Sequence, residues 1–195
     1  RTPELDQFAE TRAVSIENFY AGSFPTVGHR ADLISGILRW TRFGPQDFRK
    51  TCPNHGATIL GDKGYATQLI CDCPHLFKKG YDRDFDAAFQ NRGQEGDKPL
   101  LHLNDPIKSI NPVEKTRAQP QFKGHPLVDQ HRWTNRYSRY EGEKFAAKTG
   151  KTVVRWLEEN YKAEPFFLWA DLFDPHGPWD PPEYMVERYH PGYKG

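Results

Sequence analysis

Apolar positions along the chain recur at two spacings, and the alternation between them predicts a layered protein. Thr2-Pro3 followed by Leu5, Phe8 and Ala9 reads as an N-cap, a proline in the first helical position and a short amphipathic helix. Val14, Ile16 and Phe19-Tyr20 suggest a strand, broken by Ala21-Gly22-Ser23-Phe24-Pro25. Thr26 opens a second helix through Leu33, Ile34 and Ile37, and a third lies near Ala57–Gly61 and ends at Gly64. Tyr65 to Cys71 is a strand candidate. Asn91 to Pro126 is polar, carries five prolines and lacks periodicity, so it reads as an extended surface excursion within the domain. Thr149 to Tyr161, with Val153, Val154, Trp156 and Leu157, is a helix; Phe166 to Leu172 is a near-continuous apolar strand of the kind that parallel sheets bury on both faces. Strands alternating with helices predict an α/β domain.

Composition narrows the function. Across 195 residues, 27 basic side chains meet 26 acidic ones, for a net charge of +1. That balance argues against a nucleic-acid protein acting through a positive field and against a polybasic membrane arm. Aromatic residues make up 14% of the chain and aliphatics are scarce, which excludes disorder and suggests a slice of something larger. No apolar run approaches the roughly 20 residues of a membrane span. Cys52, Cys71 and Cys73 cannot all pair with one another, and Cys71 and Cys73 are too close for an easy bridge, a weak sign of reduced thiols. Compartment and oligomeric state are left open.

Four short stretches invite chemical readings. Gly150-Lys151-Thr152 resembles the end of a phosphate-binding loop, but Phe145 stands where that motif needs glycine, and no strand precedes it. Cys52, His55, Cys71, Cys73 and His75 offer five zinc-ligand types at spacings foreign to common zinc fingers, so buried inert thiols are the better reading for Cys52 and Cys71. Thr26 at a strand-to-helix junction sits where unpaired N–H groups and the positive helix end face an anion, and Arg30 lies one turn on with its fork of donors. The plainer alternative is a capping threonine and a solvated arginine. Asp174-Pro-His176-Gly-Pro-Trp179 follows the last apolar strand, where catalytic groups of α/β sheets gather, and His75 has the same relation to Cys71. A tight turn is the plainer account of the prolines and glycine. Together these groups form a constellation for a tetrahedral oxyanion.

In these residues the chain resembles the sulfatase family of the alkaline phosphatase superfamily. The likeness runs through Thr2-Pro-Glu-Leu-Asp-Gln-Phe-Ala9, Tyr20 to Arg30 with Leu33 and Gly36, Gly64 to Ile70 continuing to His75-Leu76, and Pro165 to Leu168 continuing to Trp179. The resemblance implies an alkaline-phosphatase-like sandwich, a mostly parallel sheet flanked by helices, of which residues 1–195 would be an incomplete fragment of the catalytic domain. The first strand and the C-terminal part would lie outside it. It also implies a divalent metal, calcium first with magnesium or manganese as alternatives, whose ligands lie mostly beyond this stretch; only Thr26 would be a metal ligand within it. Thr26 falls on the position of the formylglycine-forming cysteine and Arg30 on the arginine closing that motif. His75 falls on the histidine of the Lys-x-His element, with Asp72 and an extra residue changing the lysine pattern. His176 falls on a histidine that serves the substrate oxygens.

The resemblance thus implies a metal-dependent hydrolase of sulfate esters, small or glycan-borne, with Thr26, Arg30, His75 and His176 as its site. Threonine cannot be oxidised to the aldehyde that becomes formylglycine, and here Val27, Gly28 and His29 separate it from Arg30. That departure keeps two alternatives in view: a phosphodiester or phosphonate ester hydrolase with a threonine nucleophile, and a non-catalytic binder of anionic glycans.

Overall fold

The computed structural model describes residues 2–38, 54–92, 135, 138–177 and 181–193. They fall in two compact units, Arg1–Pro45 and Gln46–Gly195. The expected surface excursion lies outside the described residues beyond Arg92, as do Cys52 and Trp179.

In the first unit, helix α1 spans Pro3–Arg12 with proline in its first turn, as its sequence predicts. Thr2 donates its hydroxyl to Asp6 at 3.0 Å rather than capping a backbone N–H. The helix buries no residue: Leu5 and Phe8 are 65% and 55% exposed. The strand expected around Val14–Tyr20 is not formed, and these apolar side chains lie exposed along irregular chain. Alternation alone cannot make a strand without a neighbour to complete its ladder. Helix α2, Thr26–Ser35, begins where expected and buries Ala31 and Ile34 on one face. It stops short of Ile37 because Gly36 turns left-handed (φ 66°) and donates its N–H to Asp32 O at 2.8 Å.

The second unit is built on a three-stranded parallel sheet. Helix α3, Gly56–Gly61, leads into β1, Ala66–Cys71. Helix α4, Pro74–Lys79, follows at once and ends at left-handed Gly80. Then come β2, Ala87–Gln90, a 3-10 turn at Glu141–Glu143, and helix α5, Phe145–Asn160. Strand β3, Phe166–Asp171, and helix α6, Glu183–Tyr189, complete the order. The strands lie as β2-β1-β3, with Cys71 level with both Gln90 and Asp171.

The sheet corrects one sequence reading. The strand buried on both faces is β1, where every residue after Ala66 is enclosed. The more apolar β3 is an edge of the described sheet and only half-buried. Its aromatic rings find partners nonetheless: Phe166 meets Trp156 of α5 edge-on at 5.2 Å, and Phe167 stacks on Phe85 at 5.9 Å. Strand β2 and helices α4 and α6 were not expected, being four to seven residues long. The segment Gly150-Lys151-Thr152 lies inside α5, so no phosphate loop exists there.

Candidate functional site

Parallel strands point all their carboxyl ends one way, and the crevice for a ligand opens beside a central strand whose two neighbours are reached by connections leading to opposite sides. Strand β1 is that strand, with β2 on one side and β3 on the other. Two loops leave the sheet there. Asp72-Cys73 leads from β1 into α4, and Leu172 to Gly177 leads out of β3.

His75 stands on the first turn of α4, directly after Pro74, and is half-buried. Burial lowers its pKa, and Lys78, His176 and Lys79 push the same way, so the ring is neutral near pH 7. His176 is exposed on the β3 loop and its Nδ1 lies 2.6 Å from Gly177 O. A carbonyl can only accept, so the proton sits on Nδ1 and the lone pair of the neutral ring on Nε2. Between them stands Phe173, its ring stacked on His176 (4.3 Å between centroids, 22°) and edge-on to His75 (6.3 Å, 71°). The structure therefore brings the two expected histidines together around one buried phenylalanine.

Asp72, to which the sequence reading gave no role of its own, joins the two loops. Asp72 is fully buried, accepts the Phe173 N–H at 2.8 Å through Oδ1 and the Thr149 hydroxyl at 3.1 Å through Oδ2. Asn91 donates Nδ2–H to Thr149 Oγ1 at 3.0 Å. Burial raises the Asp72 carboxyl to about 6; the Phe173 and Thr149 donors resist the rise, and Asp174 and Asp171 add to it. The sequence signal was a charged residue placed directly after an apolar strand, where a carboxylate is enclosed only if donors meet it.

Thr26 and Arg30 belong to the first unit, on consecutive turns of α2, and both are half-buried. Pro25 takes the N-cap position, so Thr26 is the first helical residue rather than the cap. Its hydroxyl makes no hydrogen bond among the described residues, and no acidic side chain occupies the first turn to compete for an anion.

Three of the five possible zinc ligands, His55, Cys71 and Cys73, are buried in the second unit. Cys71 and Cys73 are buried thiols outside any disulfide, and burial drives the Cys71 pKa well above its ordinary value. Buried His55 caps α3 by accepting the Ala57 N–H on Nδ1 at 3.2 Å, while Nε2 donates to Tyr81 O at 3.1 Å. Both nitrogens are thus committed, and burial holds the ring neutral by lowering its pKa. For the metal that the sulfatase resemblance implies, with its ligands expected mostly beyond this stretch, no three His, Cys, Asp or Glu side chains are grouped among the described residues. A single neutral hydroxyl does not satisfy a hard dication, which takes six or more oxygens.

No family model matches the chain, and no solved structure matches it. Among curated proteins it is similar to an arylsulfatase of Clostridium perfringens, at 24% identity over 204 residues. The match covers 96% of this chain and 41% of that protein, so the chain spans about two fifths of its relative's length. Among the described residues no helix is long and apolar enough to cross a membrane. Over nearly its whole length, then, this α/β chain bears a distant likeness to an arylsulfatase, which suggests membership of the sulfatase family.

Proposed function

We propose that the chain is part of a hydrolase that cleaves sulfate esters, converting ester and water to alcohol and sulfate. The observation that carries the reading is the pair His75 and His176, gathered on Phe173 at the carboxyl edge of a parallel sheet, in a chain similar to an arylsulfatase. Each group has a role that its surroundings suit. In the sulfatase resemblance Thr26, at a helix start whose dipole favours an anion, takes the position of the nucleophile, and Arg30, with its fork of donors, that of the arginine serving the sulfate oxygens. Neutral His75 hydrogen-bonds the ester, and His176 serves the substrate oxygens from the exit of β3.

Thr26 supports a second reading. A threonine hydroxyl can attack phosphorus and cannot form formylglycine, so phosphodiesters and phosphonate esters are the neighbouring substrate class. The test is an assay of the full-length protein, with calcium, magnesium or manganese added, on an aryl sulfate, an aryl phosphate and an aryl phosphodiester. Turnover of the sulfate above the others supports the proposal. A preference for the diester moves the assignment to phosphorus. Binding of sulfated glycans without turnover of any ester refutes both.

A further inference from the structure

The two histidine-bearing loops are joined by one carboxylate. Asp72 leaves the end of β1, is 0% exposed, and takes the Phe173 N–H at 2.8 Å and the Thr149 hydroxyl at 3.1 Å on separate oxygens. Its own N–H donates to Asp171 O at 3.3 Å, so the exits of β1 and β3 are bonded twice within two residues. Thr149, itself 0% exposed on α5, takes a third donor from Asn91 at the end of β2. The exits of β1 and β3 and the helix α5 thus meet at the Asp72 side chain, and the exit of β2 reaches it through Thr149. A buried carboxylate is a costly way to hold a loop, and an apolar residue would pack the same space without that cost. What an apolar residue cannot do is fix the Phe173 backbone, and the Phe173 ring is the surface against which His75 and His176 both lie.

We propose that Asp72 is a positioning residue for the site: by accepting the Phe173 N–H and the Thr149 hydroxyl, it locks the loop out of β3 so that His176 and His75 are held around one ring. The inference rests on the sulfatase reading for what the histidines do, but the lock itself is readable without turnover. Small misplacements of a reacting group cost up to about 100-fold in rate.

The experiment uses the full-length protein carrying Asp72→Ala, Asp72→Asn, His176→Ala and the Asp72→Ala/His176→Ala pair. It measures aryl sulfate hydrolysis and hydrogen exchange of the segment 171–177. Asp72→Ala should lower kcat about 10- to 100-fold with KM changed less than about threefold, because the displaced group acts in the transition state. Asp72→Asn, which keeps an acceptor for the Phe173 N–H, should recover part of that loss. The double variant should lose less than the product of the two single losses, since only His75 is left for the lock to position. Exchange in 171–177 should quicken at least about tenfold in Asp72→Ala while β1 stays protected. Additive losses in the double variant, or exchange that quickens equally in β1, would mean a general structural role and overturn the proposal. If Asp72→Ala does not fold, Asp72→Val, which fills the space without an acceptor, and Thr149→Val take its place, and unchanged exchange in both would overturn it. If the wild type hydrolyses no sulfate ester, the functional reading fails, while the exchange result still decides whether Asp72 holds the loop.

Discussion

Asp72→Asn keeps the outline of the side chain and removes its charge, and its effect on stability should change with pH. Burial raises the Asp72 carboxyl from its ordinary 3.8 to about 6, overcoming the Phe173 and Thr149 donors that favour the anion, with Asp174 and Asp171 adding repulsion. The unfolded chain titrates near the ordinary value. Between about pH 4 and 6 the folded state therefore binds the more protons, and the wild type loses stability as pH rises through that window. Above pH 7 the displacement corresponds to about 3 kcal/mol against the ionised form. Asparagine never ionises; its oxygen keeps the Phe173 N–H, and its amide faces Thr149 Oγ1. The variant should match the wild type near pH 4 and be more stable at pH 8 by about 2–3 kcal/mol, roughly 4–12 °C in Tm for a domain of this size. Paired thermal melts by circular dichroism, from pH 4 to 8 at constant ionic strength, measure it. A Tm difference that is flat with pH, or a variant less stable at pH 8, would show that the two donors outweigh burial and would refute the reasoning. A variant more stable yet slower is what a charge kept for the site requires.

Further outcomes follow from the other residues. Thr26→Ala should abolish ester turnover in the full-length protein and shift its melt by no more than the ~1 kcal/mol typical of a helix-start change, since its hydroxyl has no bond to lose among the described residues; turnover within tenfold of wild type would remove Thr26 as nucleophile. Arg30→Ala and His176→Ala should each slow turnover about 10²–10³-fold without unfolding the protein, and a lost cooperative melt with unchanged rate per folded molecule would reassign either residue to structure. His55→Ala should destabilise by about 2–4 kcal/mol, because it removes the cap of α3 and strands the buried Tyr81 carbonyl. Denaturant midpoints measure that loss, and a change under about 0.5 kcal/mol would show that the cap contributes little.

Much of this protein is written in its local pattern. The starts of α1 and α2 follow from Pro3 and from the break at Pro25, β1 and β3 from their apolar runs, and α5 from its helical spacing, because each depends on residues within a turn or two of one another. The positions of His75 and His176 directly after strands were legible for the same reason. Local pattern failed where a partner had to be supplied. Val14 to Tyr20 alternates like a strand but finds no ladder, and the short β2 forms because β1 offers one, level from Gln68–Ala87 to Cys71–Gln90. Which strand lies in the middle is likewise a tertiary matter: β3 is the more apolar, yet β1 is enclosed because both neighbours hydrogen-bond to it. Asp72 is the clearest case. In sequence it is a charge beside two cysteines, and only folding brings to it Phe173 from 101 positions away and Thr149 from 77. Those donors make a carboxylate tolerable in the interior, and no spacing rule reaches across such separations.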